Sequence, residues 1–356
     1  MGRACAEHRP RLWMVPTGSR DHRHDGRMSV SWGVVGPGRI ADGVVGDVRH
    51  VPGAEFVAVA SRSAERAAAF AAKHGIARIH DSYQAIVDDP NVDVIYIATP
   101  HPQHRAVALA ALRAGKAVLV EKAFTVTTEA TREIIDVARS TGTFAMEAMW
   151  TRFQPVVVAL RELLAEGAIG EVRAVHGDLG VTAPEDPTDR FYNPDIGGGA
   201  VFDLAVYPVS FAQMVLGTPD TVTARGILGP TGVDIEESVL LGWDDGRTAS
   251  VFCSLRCPSP GQFRIFGTAG WIDVLPRFHH PDTIVLHRKG AEPETITEAA
   301  TGGGYSHELI EVTACVAAGL TESTVMPLAD TVAVQDVLGE ITRQLGVDVR
   351  EGPAEL

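Results

Sequence analysis

The sequence contains few of the residues that hold small domains together through disulfides or metal ions. It has four cysteines, Cys5, Cys253, Cys257 and Cys315, and no two of them stand in C-x-x-C spacing. Neither a zinc site nor a disulfide framework is therefore indicated, and we expect free thiols. Uncharged apolar stretches are also short, and none approaches the roughly 18 to 20 residues that a membrane span requires. The sequence predicts no metal site, no membrane association and a cytoplasmic location.

Positive charge is the second deficit of this chain. Lys and Arg number 31 against 45 Asp and Glu, which gives a formal net charge of −14. This sign argues against a general nucleic-acid partner. Hydrophobic residues make up 45% of the chain and charged residues 21%, which is typical of globular proteins and not of disordered or collagen-like chains. At roughly 150 residues per domain, the length of 356 residues predicts about two domains.

Residues 1–27 differ from the rest of the chain. They have no apolar run long enough for the core of a signal peptide. Their basic residues are Arg3, Arg9, Arg11, Arg20, Arg23 and Arg27, with His8, His22 and His24. We expect a disordered extension here, with Met28 as a candidate for the natural start. A basic arm that binds a partner is the alternative.

A strand, a glycine-rich turn and a helix follow one another after this extension. Val30 to Val35 is a short apolar run, and Gly36-Pro37-Gly38-Arg39-Ile40-Ala41 comes directly after it. This order is typical of a dinucleotide site: Gly36 permits the tight turn, Gly38 lets the backbone approach the pyrophosphate, and Ala41 allows close helix packing. The helix N-terminus then faces the phosphates. The pattern alone also fits an ordinary turn before a helix, so the argument depends on its context.

The second predicted strand, Glu55 to Ala60, ends at Ser61-Arg62, about 20 residues after the turn. An NAD site usually has an acidic residue here that binds the ribose 2′-hydroxyl. A hydroxyl followed by a guanidinium suits a 2′-phosphate instead, because arginine binds phosphate with two parallel hydrogen bonds. The sequence therefore favours NADP over NAD. The alternative is that Arg62 is a solvated residue at a helix start.

Helices and strands continue to alternate as far as residue 120. The pattern predicts helices over 64–74, 81–88 and 104–114, and strands over 92–98 and 117–120. Near-continuous apolar strands of this kind favour a parallel sheet that is covered on both faces. Thr99, Pro100, His101 and His104 follow the 92–98 strand, where ligands of doubly wound sheets bind. The two histidines have a spacing that suits a metal, but no carboxylate or cysteine lies nearby in sequence, so cofactor contact or helix capping is favoured.

Glu121 and Lys122 follow the 117–120 strand directly, where their side chains would point into the same crevice as the glycine-rich turn. The Lys122 ammonium can stay positive against a cofactor there, or lose its proton more easily if it is desolvated. Either state suits proton transfer during carbonyl chemistry. A surface lysine at a strand end is the alternative.

The alternation stops at Met146, and longer helices are followed by consecutive strands. These strands are predicted over 172–178, 221–227, 238–242, 249–256 and 263–266. Consecutive strands without crossover helices imply antiparallel pairing. The predicted fold class is α/β, with an N-terminal Rossmann doubly wound parallel sheet over residues 28–147. A C-terminal α+β domain with an open, mainly antiparallel sheet is predicted over 148–356.

Gly197-Gly198-Gly199 precedes a helix that is predicted to begin near Ala200, and Asp203 and Tyr207 stand four positions apart on it. This spacing puts a carboxylate and a phenol on one helix face. A phenol titrates near pH 10, and a neighbouring Lys122 cation would lower the pKa of Tyr207. Such a tyrosine can exchange the substrate's hydroxyl proton while hydride moves to or from a nicotinamide. The alternative is a core aromatic residue with a capped hydroxyl.

Several motifs, in the same order along the chain, resemble the Gfo/Idh/MocA oxidoreductases. They are residues 36–41, 98–104, 121–122 and 197–203. More narrowly, residues 146–153, Tyr207, 304–308 and 322–328 resemble the branch that contains dimeric dihydrodiol dehydrogenase and NADP-dependent D-xylose 1-dehydrogenase. The resemblance runs from about Trp32 to Val347. Ala123 departs from the family's usual Glu-Lys-Pro pattern, which leaves the side-chain chemistry of Lys122 intact.

The resemblance implies further roles. It implies that the open sheet packs on a partner subunit, and an open apolar sheet face must be covered, so a homodimer or higher homo-oligomer is expected. Within the branch, Trp150 and Arg152 line the cofactor and substrate crevice, with packing between domains as the alternative. Tyr207 stands where inositol dehydrogenases often carry His. Arg190 lies in a Pro-rich, acidic loop, 182–195, that is long enough for a substrate-side lid.

These arguments assign three sets of residues. The expected catalytic residues are Lys122, Tyr207 and Asp203, where Asp203 would orient the sugar hydroxyl or Lys122. The expected substrate-binding residues are Trp150, Arg190, Asp203 and Tyr207. The expected cofactor-binding residues are Gly36, Gly38, Arg39, Ile40, Ser61, Arg62, Thr99, Pro100, His104, Glu121, Lys122, Trp150 and Arg152.

The sequence thus predicts an NADP-dependent dehydrogenase that oxidises a hydroxyl of an aldose, at C1 of a D-xylose-like sugar, or of a related cyclic polyol. The aldose is favoured because a sugar needs hydroxyl-pairing groups such as Asp203 and Arg190. A trans-dihydrodiol of an arene is the alternative substrate. The alternative class is a non-catalytic regulator that senses NADP, which would need neither Lys122 nor Tyr207.

Overall fold

The computed structural model of this chain describes residues 23–24 and 27–352. Its first elements are two short strands, β1 (Arg23–His24) and β2 (Arg27–Met28), which pair antiparallel. The expectation of a disordered extension falls mainly on residues 1–22, 25 and 26, which lie outside the described residues.

A sheet of six parallel strands forms the first half of the fold. Its members are β3 (Val30–Val35), β4 (Ala54–Ala60), β5 (Arg78–His80), β6 (Val94–Ile97), β7 (Ala117–Glu121) and β8 (Ala145–Ala148). Their order is β5-β4-β3-β6-β7-β8, and each neighbouring pair is parallel. Counted from β3, this is the order of a doubly wound dinucleotide fold, which reverses between β3 and β6. The predicted doubly wound parallel sheet is confirmed.

Five α-helices of the described chain belong to this half. They are α1 (Arg39–Asp47), α2 (Ala64–His74), α3 (Tyr83–Val87), α4 (His104–Arg113) and α5 (Thr128–Thr141). Local sequence fixes their starts, because the side chains of Ser63, Ser82 and Thr127 accept hydrogen bonds from the first turns of α2, α3 and α5. The central strands β6 and β7 are buried along their whole length, whereas the edge strand β5 is largely exposed. Trp32 of β3 is fully buried against Phe56 of β4.

The second half of the chain forms a sheet of eight strands. They are β9 (Val172–Gly180), β10 (Thr221–Leu228), β11 (Asp234–Gly242), β12 (Thr248–Ser254), β13 (Phe263–Gly267), β14 (Gly270–Val274), β15 (Thr283–Arg288) and β16 (Glu294–Thr297). Their order is β10-β11-β12-β9-β13-β14-β15-β16. Only the β12–β9 pair is parallel, because β9 inserts between two strands that come later in the chain. The predicted open, mainly antiparallel sheet is confirmed.

Four helices complete the second half: α6 (Pro155–Ala165), α7 (Val206–Leu216), α8 (Ser306–Ala317) and α9 (Leu328–Leu345). A π-helical turn, Val201–Ala205, leads directly into α7. Helices α7 and α9 pack on the inner face of the eight-stranded sheet, whereas Leu240 and Trp271 on its outer face are exposed. Helix α8 contacts β3 and α9 contacts α5, so the last helices pack on the first sheet as well.

One segment of the described chain, Pro194–Leu216, has the length and apolar character of a membrane span, with a mean hydropathy of 1.5. It contains α7, and 83% of its most apolar window is buried inside the fold. Its apolar residues are accounted for by burial beneath the second sheet.

Candidate active site

The glycine-rich turn lies at the carboxyl ends of β3 and β6, where the strand order reverses. Gly36 has a φ of +85°, and a Cβ atom there would lie 2.7 Å from the carbonyl oxygen of Ala98. Only glycine meets both conditions. Gly38 is the exposed N-cap of α1 and provides no side-chain cap. The first amide groups of α1 are therefore open to an anionic ligand.

The neighbouring strand end fits a nucleotide cofactor as well. Thr99 and Pro100 follow β6, and the Thr99 hydroxyl is buried without a hydrogen-bond partner among the described residues. Buried hydroxyls are normally paired, so this oxygen is suited to a ligand atom. The turn, the open helix start and this hydroxyl together fit the pyrophosphate and ribose of an NAD(P) molecule.

The residues expected near the 2′-position lie at the same edge of the sheet. Ser61 is buried at the end of β4, and Arg62 beside it is exposed. Arg39 and Ile40 are exposed in the first turn of α1. A hollow of about 340 Å³ opens next to them, lined by Pro37, Gly38, Arg39, Asp42, Arg66, Ala69, Phe70 and Lys73. Its arginines and its lysine give this edge a positive rim.

Lys122 directly follows β7, as predicted, and its ammonium forms the centre of the site. Lys122 Nζ donates to the Asp203 carbonyl oxygen at 3.0 Å, lies 3.4 Å from Asp203 Oδ1, and lies 4.7 Å from the centroid of the Tyr207 ring. The lysine side chain is 12% exposed. Burial lowers the pKa of Lys122, but the neighbouring Tyr207 and Asp203 outweigh burial and raise it. Lys122 is therefore held as a cation.

Asp203 lies between two cations. Its carboxylate accepts hydrogen bonds from Lys122 and from Arg190, and its side chain is 4% exposed. Burial raises the pKa of Asp203, but its surroundings, chiefly the Lys122 cation and also the Arg190 cation, lower it by more, so the net pKa falls. The structure thus brings Arg190, from the 182–195 loop, into the expected catalytic group.

The predicted direction of the Tyr207 pKa is wrong. Burial raises the pKa of Tyr207, and this effect exceeds the lowering by the Lys122 cation and by a hydrogen bond from Trp150. The prediction included the effect of the Lys122 charge but not the desolvation of the phenol by surrounding rings. One of these rings is His279, whose centroid lies 5.1 Å from that of Tyr207. Tyr207 is consequently a neutral phenol at pH 7.

The path of the chain explains how Asp203 and Tyr207 both reach Lys122. The residues around Asp203 form a π-helical turn in place of the predicted α-helix, and such turns widen the helix and often occur at functional sites. The loop before this turn is closely packed on itself. A Cβ atom on Gly198 would lie 2.8 Å from the Asn193 carbonyl oxygen and 2.9 Å from that of Arg190. This fold of the loop returns Arg190 to Asp203.

His101 ties three segments of the crevice together. One of its ring nitrogens lies 3.1 Å from the carbonyl oxygen of Lys122, and the other lies 3.2 Å from that of Gly197. Burial lowers the pKa of His101, so the ring is neutral and donates to one of these carbonyls. His101 thereby links the loop after β6 to the loops that carry Lys122 and Arg190.

His104 was expected to bind the cofactor, and this expectation is wrong. The residue is 0% exposed, and its ring nitrogens lie 2.8 Å from the Thr99 carbonyl oxygen and 3.1 Å from that of Ala123. Burial lowers the pKa of His104 to about 3. The ring therefore supports the crevice from beneath. Among the described residues, no cluster of three or more His, Cys, Asp or Glu side chains could hold a metal ion.

Trp150 and Arg152, which were expected to line the same crevice, have different surroundings in the structure. Trp150 lies in the crevice and stacks on Tyr305 with 4.4 Å between ring centroids. Arg152 is 2% exposed, and its guanidinium donates to Asp330 at 2.5 Å and to Gln213 at 2.6 Å. The expectation that Arg152 binds the cofactor is wrong, because its donors are engaged with α7 and α9. These hydrogen bonds lie within the second half of the chain, so they do not show the packing between domains that was the alternative either.

Glu121 has a partner inside the sheet. It is 8% exposed and accepts a hydrogen bond from the Tyr96 hydroxyl at 2.5 Å. Burial raises the pKa of Glu121. Contact between Glu121 and a cofactor stays a prediction.

Sequence reasoning missed part of the crevice wall. His279 and His280 lie in the loop between β14 and β15, and His280 lies 5.2 Å from the Trp150 ring. Burial lowers the pKa of His279 to about 3, so its ring is neutral. Tyr305 belongs to a motif that the sequence resemblance included, but no role was assigned to it. The adjacent histidines were the available signal, and nothing local indicates that their loop reaches Tyr207.

Comparisons with known proteins agree with this geometry. Residues 30–149 match a family model described as an oxidoreductase family with an NAD-binding Rossmann fold, and residues 157–273 match the GFO/IDH/MocA C-terminal domain. The trans-1,2-dihydrobenzene-1,2-diol dehydrogenase of Xenopus tropicalis is 36% identical over 329 residues, which cover 90% of this chain and 99% of that protein. The protein of the same name from Oryctolagus cuniculus is 38% identical over 326 residues, covering 88% and 98%.

Solved structures show the same fold. A levoglucosan dehydrogenase in complex with NADH and levoglucosan has a TM-score of 0.83 at 21% identity, covering 90% of this chain and 98% of that one. An aldose-aldose oxidoreductase from Caulobacter crescentus, complexed with glycerol, has a TM-score of 0.81 at 23% identity, covering 89% and 98%. At these identities the similarity establishes the fold alone.

The matches span both halves of the chain and include the segments that carry Lys122 and Tyr207. The predicted resemblance to the dihydrodiol dehydrogenase branch is confirmed by the relatives. The protein is an NAD(P)-dependent oxidoreductase that acts on CH–OH groups, and the chain belongs to the Gfo/Idh/MocA oxidoreductase family.

Proposed function

We propose that this protein is an NADP-dependent dehydrogenase that oxidises a ring hydroxyl of an aldose, at C1 of a D-xylose-like sugar, or of a related cyclic polyol. One observation carries the proposal. The Lys122 ammonium lies against both Asp203 and the Tyr207 ring, at the strand edge that also holds the glycine-rich turn. A cation, a carboxylate and a phenol beside a nucleotide site are the groups that hydroxyl oxidation needs.

Tyr207, Lys122 and Asp203 have different roles in this hydroxyl oxidation. Bound NADP+ supplies the hydride acceptor. In its ionised form, Tyr207 takes the substrate's hydroxyl proton at its phenolic oxygen, and Lys122 stabilises that ionised form. Asp203 holds the ammonium through its carbonyl and carboxylate oxygens. Because the pKa of Tyr207 is raised, the phenol form prevails at neutral pH and is ready to donate a proton in the reverse reaction.

The preference for NADP rests on positive charge at the rim. Arg62 follows β4 at the position of the ribose 2′-substituent in doubly wound folds. Arg39 and Arg66 line the neighbouring hollow. Guanidinium groups bind phosphate strongly, and no acidic residue stands at position 61 or 62 to bind a free 2′-hydroxyl.

Two observations favour a second substrate, a trans-dihydrodiol of an arene. The crevice wall is aromatic, with Trp150 stacked on Tyr305 and His280 beside it, and flat apolar rings pack well on such walls. The relatives that match over most of the chain carry the name trans-1,2-dihydrobenzene-1,2-diol dehydrogenase. The hydroxyl-pairing groups Asp203 and Arg190 still favour the sugar.

The outer face of the eight-stranded sheet supports a homodimer or higher homo-oligomer. Leu240 is 51% exposed and lines an open hollow of about 660 Å³ on this face, and Trp271 on the same face is 40% exposed. Large apolar side chains on a sheet face that no helix of the described chain covers favour an interface between subunits. A cytoplasmic location completes the proposal and rests on the sequence argument.

A substrate panel with both cofactors tests the function. D-xylose, D-glucose, myo-inositol and a benzene trans-dihydrodiol are each incubated with NADP+ or NAD+, and formation of reduced nicotinamide is followed by its near-ultraviolet absorbance. We expect turnover of an aldose with NADP+. In Arg62→Ala, the KM for NADP+ is expected to rise by about 10-fold or more while the KM for NAD+ is unchanged. Arg139→Ala, at an exposed position on α5, is the control and should behave as wild type.

The outcomes separate the alternatives. Turnover of the dihydrodiol alone would replace the sugar with the arene substrate. Tight NADP binding without turnover of any panel member would contradict the proposal in favour of a sensing regulator.

A further inference from the structure

Asp234, the first residue of β11, reaches the start of the helical segment that carries Asp203 and Tyr207. Asp234 Oδ2 accepts a hydrogen bond from the Val201 amide at 2.7 Å, and the Ala200 amide also donates to this carboxylate. The residue is 0% exposed. A carboxylate in this position satisfies amide groups that a helix start leaves unpaired.

The neighbouring backbone is shaped around this carboxylate. Gly199 has a φ of +120°, and a Cβ atom there would overlap Asp234 Oδ1 and lie 3.1 Å from its Cγ. Only glycine allows the chain to pass so close. The third glycine of the 197–199 run is therefore explained by Asp234.

The carboxylate is costly to keep in this place. Asp234 Oδ1 has no hydrogen-bond partner among the described residues. Asp203, Glu237 and the Cys253 thiol interact with it and none of these groups is a cation, and no Lys, Arg or His in the described part of the chain forms an ion pair with Asp234. Burial raises the pKa of Asp234 to about 6. An unpaired buried oxygen lowers stability, so stability alone does not explain an acid at this position.

We propose that Asp234 is a positioning residue for the hydroxyl oxidation: its carboxylate fixes the first turn of the helical segment and thereby holds Asp203 and Tyr207 on Lys122. The inference rests on the proposed function for its kinetic effect. The Asp234 contact is close to the residues it positions, because Val201 begins the π-helical turn and Asp203 lies within that turn. Lys122 binds the backbone carbonyl of Asp203 as well as its side chain, so a shift of the turn displaces both contacts.

Three variants test this assignment. Asp234→Ala removes the acceptor, Asp234→Asn keeps an oxygen that accepts the same amide, and Glu236→Gln is the matched control. Glu236 lies on the same strand but bonds to Ser254 and Arg256. Measurements are kcat, the Kd of NADPH from its fluorescence, and the unfolding temperature.

We expect Asp234→Ala to lower kcat by about 10- to 100-fold, as for a small displacement of reacting groups, with the Kd of NADPH within about 3-fold of wild type. Asp234→Asn should restore kcat to within about 3-fold at an unfolding temperature no lower than that of wild type, because it removes a buried charge. Glu236→Gln should match wild type. If Asp234→Ala fails to fold, Asp234→Ser replaces it, because its hydroxyl is one atom too short for the Val201 amide and the same loss is expected.

Two results would overturn the inference: a kcat within about 3-fold of wild type in the truncated variant that folds, or an equal loss of kcat and NADPH affinity in that variant. A crystal structure of Asp234→Ala gives a readout that needs no substrate. A displaced 201–205 turn supports the assignment, and an unchanged turn refutes it. If wild type is inactive on the whole panel, the proposed function fails while this structural test still decides the role of Asp234.

Discussion

The Lys122 ammonium and the Tyr207 phenol both keep their protons at neutral pH. Burial lowers the pKa of Lys122, but Tyr207 and Asp203 raise it by more, whereas the raised pKa of Tyr207 is due to burial itself. A phenol whose pKa exceeds 10.0 is ionised in less than about one molecule in a thousand at pH 7. At neutral pH Tyr207 is therefore ready to donate a proton, whereas it can accept one from the substrate only in the small ionised fraction, which grows with pH.

This protonation state predicts the pH dependence of the two directions. As pH rises toward the raised pKa of Tyr207, the ionised fraction that accepts a proton grows, so kcat for hydroxyl oxidation is expected to rise by up to about 10-fold for each unit. The reverse reduction should stay flat and then fall as the phenol is lost. Initial rates in both directions across the alkaline range check this. An oxidation rate that levels off near neutral pH would contradict it.

Removal of the phenolic oxygen should abolish most turnover. Tyr207→Phe is expected to lower kcat by about 100- to 10,000-fold, because it removes the group that transfers the proton, and to leave the Kd of NADPH within about 3-fold. Tyr305→Phe is the matched control, because it loses a hydroxyl in the same crevice and keeps the ring that stacks on Trp150. Steady-state kinetics and nucleotide fluorescence measure both effects. Comparable kcat losses in the two variants would remove the special role of Tyr207.

Glu147 links stability to pH through its burial. Burial raises its pKa from 4.5 to about 7, and its carboxylate accepts the Phe124 amide at 3.2 Å. A raised acid pKa means that the folded state binds the proton more tightly, so this contribution is present below the unfolded pKa of 4.5 and lost as pH rises through about 7. Relative to Glu147→Gln, wild type should lose about 2 kcal/mol of stability between about pH 5 and pH 8.

Thermal or urea unfolding across this range measures that difference. Glu340→Gln is the control, because the pKa of the half-buried Glu340 is lowered to about 2 by its hydrogen bond with Arg343. Its contribution is lost only in acid and should not change between these pH values. Parallel stability curves for wild type and Glu147→Gln would show that Glu147 titrates as an exposed acid does.

At the scale of elements, the first turn of α1 carries a prediction of its own. Gly38 has open space around it, with the nearest atom, the Gly36 carbonyl oxygen, 3.9 Å from an added Cβ. Gly38→Ala should therefore fold, but its methyl group would occupy the surface that faces the pyrophosphate. We expect an unchanged unfolding temperature and a Kd of NADPH raised by about 10-fold or more.

Gly46→Ala, in the same helix, is the control for this substitution. A Cβ there meets nothing within 4 Å, so the change should stabilise the helix by up to about 1 kcal/mol and leave nucleotide binding intact. Equal NADPH affinity in Gly38→Ala and wild type would mean that the cofactor does not approach this backbone.

The elements themselves followed closely from local pattern. The predicted strand at Val30–Val35 and the predicted helix at 64–74 have the observed bounds, because apolar runs and a Ser63 cap specify them locally. The turn at Val201–Ala205 was predicted as α-helix and is π-helical. Its path depends on Asp234, which lies 33 positions further along the chain in β11, so the sequence around the turn does not reveal this contact.

At the scale of the whole molecule, the exposed sheet face predicts self-association. Leu240 is 51% exposed on this face, so Leu240→Glu would place a charge in the proposed interface at high cost. Wild type should elute with at least twice the 37.9 kDa mass of the chain, and Leu240→Glu with the mass of one chain. Light scattering coupled to size-exclusion chromatography measures both masses.

Val158→Glu is the control for this experiment. Val158 is 41% exposed on α6, a helix and not one of the strands that form the sheet face, and its substitution should leave the mass unchanged. A wild-type protein with the mass of one chain would contradict the proposed oligomer.

The sequence by itself determined the layout of this protein. Parallel strands end at one edge of their sheet, so the Gly36 turn, Thr99 and Lys122 had to meet there once each had been located after a strand. Nearness along the chain also placed Asp203 and Tyr207 on one helical segment, whereas the contact of this segment with Lys122, 81 positions away from Asp203, was decided by the tertiary structure.

Only the tertiary structure decided what surrounds these groups. His104 and Arg152 sit beside crevice residues in sequence, yet both are buried against segments distant in the chain. His279 reaches Tyr207 from a loop between two far strands. Desolvation is set by such long-range packing, and it reversed the expected direction of the Tyr207 pKa. Local pattern fixes where a side chain starts, whereas its neighbours, and hence its charge state, come from the assembled fold.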